Sequence, residues 1–246
     1  MKNHYLKKTF IVVISALLFS SCATPTNSTS KSTPTTLDPD AHPQLSFNYG
    51  EEVTYTKKEF KILDAEKILI DSLYIQVAYE LNPERWLLIA RNQNFVPEGL
   101  KLLLINPKLD NELIYRSKGA YESMTLHPTF FLPDNKEEAW IILCALGTSE
   151  SWGQNLFFMN GDVINEIAYL DIAIKEETES LDYDMRLLDI APSTHIIKNN
   201  SGFHFNFDTD SIFYFGSLGD KDDPIINGSS FEYVFFEDGL NAIYNP

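Results

Sequence analysis

The sequence predicts an all-β protein of antiparallel meanders in repeats of about 54 residues, arranged like the blades of a β-propeller. Three observations predict it. Short runs rich in Val, Ile, Leu, Tyr and Phe are separated by turn signals such as Asn160-Gly161, Asn227-Gly228 and Asp238-Gly239, as in strands joined by tight hairpins. Runs such as "FHFNF" alternate apolar and polar residues at period two, and no segment carries a long 3.6-residue period. Residues 84–115 also align without a gap on residues 138–169, at a constant offset of 54. Eight positions are then identical: Glu84/Glu138, Trp86/Trp140, Gly99/Gly153, Leu102/Leu156, Asn106/Asn160, Asn111/Asn165, Glu112/Glu166 and Tyr115/Tyr169. A β-sandwich or barrel containing two similar meanders is the alternative architecture.

The chain opens with a segment that is not part of this fold. Lys2, Lys7 and Lys8 precede the apolar run "FIVVISALLF" at 10–19. A membrane-spanning helix needs about 20 apolar residues, so so short a run reads as a cleaved signal peptide over 1–21. The residues that follow, "LFSSC", resemble the lipobox of bacterial lipoproteins, although Phe19 stands where that family usually has an aliphatic residue. The resemblance implies that Cys22 is the lipid attachment site and the mature N-terminus. Ala23, in place of Asp after the cysteine, implies the outer membrane. Each buried methylene of an acyl chain contributes about 0.8 kcal/mol, so several chains give lasting attachment.

Residues 22–44 carry the lipidated cysteine and a Thr/Ser/Pro-rich stretch, "ATPTNSTSKSTPTTLDPDAHP", with almost no large apolar side chain. Such a composition buries too little surface to offset ordering entropy, so it is expected to be a disordered tether. Residues 45–246 are expected to form a single all-β domain. Its first copy reads as the strands "SLYIQVAYE", "RWLLIAR", "LKLLLIN" and "NELIYRS". The second reads as "ESMTLHPTFFLP", "EAWIILCAL", "QNLFFMN" and "VINEIAYLDI". A degenerate third copy runs through "MRLLDIAPSTHIIK", "FHFNFD" and "SIFYFG", and "FEYVFFEDGLNAIY" is a closing hairpin. The best helix candidate is "KKEFKILDAEKIL", residues 57–69. Trp86 and Trp140 are expected at equivalent buried positions.

The charge excludes some partners. The signal peptide holds three lysines and no acid, so the mature chain sets 16 basic against 35 acidic residues, a net charge of −19. Such a chain is repelled by nucleic acid and by anionic headgroups, so the membrane is reached through the lipid anchor. With Cys22 acylated, Cys144 is the remaining cysteine; its apolar setting predicts a buried free thiol, not a nucleophile.

His127, His195 and His204 have spacings unlike a zinc motif, and no metal or cofactor is assigned. The carboxylate groups Asp182/Asp184/Asp189 and Asp220/Asp222/Asp223 are compatible with glycoside hydrolysis or calcium binding, but neither completes a motif, and no catalytic residue is assigned. Trp152, in a loop "TSESWGQ" whose counterpart carries Glu98, is the candidate ligand-binding residue. The competing reading is that it caps the core of its own unit. The function expected is an envelope lipoprotein, periplasmic or surface-facing, that acts as a binding or scaffold module for a protein, peptide or glycan. The alternative is a hydrolase of envelope polysaccharide, and the discriminating feature is a pair of facing carboxylates in a pocket.

Overall fold

The computed structural model describes residues 50–94, 98–120, 123–135, 138–177, 185–216, 225–237 and 239–245. The expected signal peptide, Cys22, the expected tether, Asp182, Asp184 and the Asp220/Asp222/Asp223 group lie outside the described residues. Residues 43–246 form one unit, and its described residues are all-β. The strands are β1 (Val53–Lys58), β2 (Lys61–Leu63), β3 (Leu73–Asn82), β4 (Arg85–Asn92), β5 (Lys101–Asn106) and β6 (Glu112–Arg116). Then come β7 (Thr125–Pro133), β8 (Trp140–Gly147), β9 (Ser151–Asn160), β10 (Val163–Leu170), β11 (Ile172–Glu177) and β12 (Met185–Leu188). The last are β13 (Thr194–Asn199), β14 (Gly202–Phe207), β15 (Ile212–Tyr214), β16 (Ile225–Ile226), β17 (Phe231–Phe236) and β18 (Gly239–Tyr244). They form a five-stranded sheet β2-β3-β4-β5-β6, a nine-stranded sheet β10-β9-β8-β7-β1-β13-β14-β17-β18 and a four-stranded sheet β12-β11-β15-β16.

The two repeat copies are the meanders β3–β6 and β7–β10. They stack, with Leu87, Ile89, Leu102 and Leu104 of the first sheet packed on Trp140, Ile142, Cys144 and Phe157 of the second. The opposite faces of β8 and β9, with Ile141, Leu143, Leu156 and Phe158, enter a different core. The second copy is therefore buried on both sides. This explains why "WIILCAL" is continuously apolar where a half-exposed strand would alternate.

The nine-stranded sheet curls on itself. Six strand steps separate β9 from β17, which is about 29 Å across a flat sheet. Yet the rings of Phe158 and Phe235 have centroids 5.6 Å apart, and Phe158 and Phe203 4.7 Å. The curl wraps an aromatic core, into which Ile172, Ile212, Tyr214 and Ile226 of the four-stranded sheet also pack. One rim carries the chain entry at residue 50 and the turns after β7, β9, β13 and β17. The opposite rim carries the junction from β10 to β11 at Asp171 and the start of β9.

Three expectations are corrected. The second copy is not a separate propeller blade: β1 hydrogen-bonds β7 on one side and β13 on the other, filling an edge that a free blade leaves unpaired. The architecture is the barrel-and-sandwich alternative. The third copy is split, with β13 and β14 in the large sheet but β12 and β15 in the small one. Residues 57–69 form no helix; they hold the end of β1, all of β2 and a 3-10 turn at Ala65–Lys67. Phe60 packs into the core between the two stacked sheets, while Leu63 and Ile68 pack on the far face of the first sheet. A single helical stripe cannot face two opposite directions.

Trp86 and Trp140 occupy matching strand positions, but both are half-buried. Trp86 lies on the far face of its sheet, and Trp140 stacks on Phe60 at 5.5 Å between the two copies.

Candidate functional site

The site is built at the rim where β9 starts and β10 ends. Trp152 is the second residue of β9 and not a loop residue; the connection before it spans only 148–150. Its side chain is half-buried, and its backbone carbonyl accepts a hydrogen bond from the Tyr169 hydroxyl at 2.6 Å. To make that bond, Tyr169 reaches across Gly153. A methyl group at Gly153 would collide with the Tyr169 hydroxyl and the Leu170 carbonyl, and its φ of 143° is in the region that favours glycine. Tyr169 is nevertheless 42% exposed, on an edge strand of the large sheet. It is an aromatic face fixed at its far end and open to solvent.

Asp171 follows two residues later. Its carboxylate accepts the Tyr233 hydroxyl, and its carbonyl accepts the Phe215 N–H at 2.9 Å. Burial, and then the Asp171 charge, push the hydroxyls of Tyr169 and Tyr214 above the ordinary phenol range. Burial and the hydrogen bond to Asp171 do the same for Tyr233. Tyr233 thus holds the carboxylate directly, and Phe215, which is 42% exposed, is hydrogen-bonded to Asp171 through its backbone.

A second polar group lies deeper. Gln154 is fully buried and donates through Nε2 to Asp189 at 2.9 Å, and the Ala191 N–H donates to the same carboxylate oxygen at 2.9 Å. Burial raises the Asp189 pKa, although both hydrogen bonds and the charge of His127 oppose the shift.

At the opposite rim, Lys198 is 1% exposed and ion-paired with Glu138. The Tyr55 hydroxyl there is pushed up by burial and by the charges of Glu138 and Asp134.

The residues singled out from sequence do not converge. Glu98, the counterpart of Trp152, is half-buried and held by Asn92 at 2.7 Å and by Lys101. Cys144 is completely buried, and burial pushes its thiol well above the usual range. His127 and His195 are exposed; His204 is half-buried between Ser201 and Glu232, at 2.8 and 3.2 Å. Among the described residues, no three His, Cys, Asp or Glu side chains gather as a metal would need.

Sequence reasoning missed Tyr169 and Asp171. Tyr169 matches Tyr115 at the 54-residue offset and so reads as structural, and Asp171 is a solitary acid between two strands. The available signal was the glycine two residues into β9, opposite an aromatic at the end of β10. No family model, curated protein or solved structure matches this chain.

Proposed function

We propose that the chain is an envelope lipoprotein, held at the bacterial outer membrane through Cys22, whose all-β domain is a binding or scaffold module for a protein, peptide or glycan. The observation that carries the binding half is the Tyr169 ring, solvent-facing yet fixed on the Trp152 carbonyl. An aromatic held in one orientation loses little entropy when it meets a ligand, which is what a contact residue needs. Trp152 contributes its carbonyl to that clamp and its half-buried ring to the same rim. The hydrolase alternative asks for two facing carboxylates. Asp189 is instead hydrogen-bonded to Gln154 and Ala191, which favours a binder.

The two halves are tested separately. Cys22→Ser should abolish fatty-acid labelling and release the protein from the membrane; unchanged membrane association contradicts the anchor. Capture of envelope components by the lipidated chain should fall sharply with Tyr169→Ala while the melting temperature hardly moves. Trp152→Ala should weaken capture too. Capture that is unchanged in both variants contradicts the rim as the binding surface.

A further inference from the structure

We propose that Ser201, His204 and Glu232 form a hydrolytic triad in which Ser201 is the nucleophile toward a short, uncharged acyl ester. The site is separate from the Tyr169 rim. It lies at the turn between β13 and β14, at the opposite end of the curled sheet. Strand alternation builds it. Phe203 and Phe205 are completely buried in the aromatic core, so His204 between them faces outward. β17 pairs with β14 so that Val234 lies opposite His204, and Glu232, two residues away, shares that outer face. Ser201 stands in the turn that ends at Gly202, whose φ of 123° favours glycine.

Each partner sits on the ring nitrogen that acyl transfer requires. The Glu232 carboxylate is 3.2 Å from Nδ1 of His204, and the Ser201 hydroxyl is 2.8 Å from Nε2. A carboxylate only accepts, so Nδ1 carries the proton and Nε2 of the neutral ring is left bare. Ser201 Oγ also lies 2.7 Å from Asn199 Oδ1, so one hydrogen faces two acceptors. Given to Asn199, that hydrogen would leave the lone pairs of Oγ and Nε2 opposed at 2.8 Å. It therefore goes to the neutral His204, and Asn199 Oδ1 still accepts the Ser201 N–H at 2.8 Å. This is an activated serine, with a base on the hydroxyl and an acid on the base.

In the step itself, Ser201 Oγ attacks the ester carbonyl carbon as its proton passes to His204 Nε2. That proton moves to the leaving alcohol oxygen as the C–O bond breaks, which leaves an acyl-serine. Water, deprotonated by His204, then releases the acid and restores the hydroxyl. Glu232 is a positioning residue that holds the ring tautomer. The surroundings select the substrate. A methyl group at Gly202 would lie 3.2 Å from Phe236 Cβ, so an aromatic residue 38% exposed stands beside the turn for the apolar part of the ester. A chain of net charge −16 disfavours an anionic ester. Ser201 is exposed, which leaves the developing oxyanion in water. Turnover is therefore slow, and acylation is the step to measure.

The experiment treats the full chain with a fluorophosphonate probe and, separately, with p-nitrophenyl acetate. Peptide mass spectrometry should find the probe on Ser201, and p-nitrophenol should be released faster than by Ser201→Ala. His204→Asn should slow labelling about a hundredfold, the ordinary contribution of a general base. Glu232→Gln should slow it about tenfold or more, and Glu232→Asp should recover part of that loss. All these side chains lie on the outer face, so the melting temperatures of the variants should stay near the parent's, which separates lost activation from lost fold. Labelling of Ser201 that is equally fast in His204→Asn overturns the proposal. So does a probe found only on other residues, or ester cleavage no faster than in Ser201→Ala.

Discussion

Asp189 shows how one side chain sets a pH response. Its carboxyl is held above the ordinary range chiefly by burial, with Gln154 Nε2, the Ala191 N–H and the His127 charge partly compensating. A carboxyl raised in the folded state binds its proton more tightly folded than unfolded, so its contribution is fully present below the ordinary carboxylate pKa of about 4. It is lost as pH rises through the raised value. Asp189→Asn keeps an acceptor for Gln154 and removes the titration. Its melting temperature should therefore gain on that of the parent as pH rises through this window, then run parallel toward neutrality. Melting curves across the acid-to-neutral range would reveal this, and parallel curves throughout would contradict it. Asp162, lowered first by its hydrogen bond to Arg85, has the opposite sign: its contribution fades as pH falls. At this scale the sequence was informative about burial and poor about partners. The apolar run around Cys144 announced a buried thiol, but nothing local to Asp189 names Gln154, which is 35 residues away.

At the scale of elements, the 54-residue offset is real where strands pair and accidental beyond. Trp86, Leu87, Leu88, Ile89 and Ala90 pair with Ile105, Leu104, Leu103, Leu102 and Lys101. Adding 54 to each residue gives the pairs between β8 and β9. The match ends at the next turn. Asn106 pairs with Glu112 across a long connection, while Asn160 pairs with Val163 across Gly161 and Asp162. Leu104 pairs with Tyr115, but its equivalent Phe158 pairs with Asn165, so the matches Asn111/Asn165, Glu112/Glu166 and Tyr115/Tyr169 are not structural equivalents. Tyr115 packs between the stacked sheets, and Tyr169 stands on the open rim. An ungapped alignment cannot see that two hairpins of different length restore the same residue count.

The glycines give a test at this scale. Gly153 and Gly161 both have positive φ, at 143° and 58°, but only Gly153 lies under a side chain. Gly161→Ala should cost about 1 kcal/mol, the left-handed penalty alone. Gly153→Ala should cost about 2–3 kcal/mol and should also displace Tyr169, because strain and collision add. Chemical denaturation would rank them, and equal losses would contradict the Tyr169–Gly153 contact.

At the scale of the molecule, the strands of the two copies were legible in the sequence, whereas β1, β2, β11, β16 and the sheet assembly were not. Every strand of the two copies was readable from local patterning. That β1 joins β7 to β13, and that the resulting sheet curls until β9 meets β17, depends on contacts between residues 72 to 145 positions apart. No short-range pattern records such a pairing. Lys198 and Glu138 belong to this scale: β13 and the turn before β8 lie on opposite sides of β1 and β7, so their ion pair spans the curl. Lys198→Met leaves Glu138 without its cation and should cost about 3–5 kcal/mol. Adding Glu138→Gln should recover much of that loss, because the uncompensated charge is what destabilises. Urea titrations of the single and double variants would measure the recovery, and additive losses would contradict it.

The central claim is that this curled scaffold presents a binding rim. It is tested most directly by placing the photocrosslinker p-benzoylphenylalanine at Phe215 in the intact lipidated protein. The control places it at Tyr74, which is 52% exposed but lies on the first sheet, away from Asp171. Illumination in cells should give a discrete heavier adduct from position 215 and none from position 74. Adducts of equal yield at both positions, or none at 215, would contradict the account.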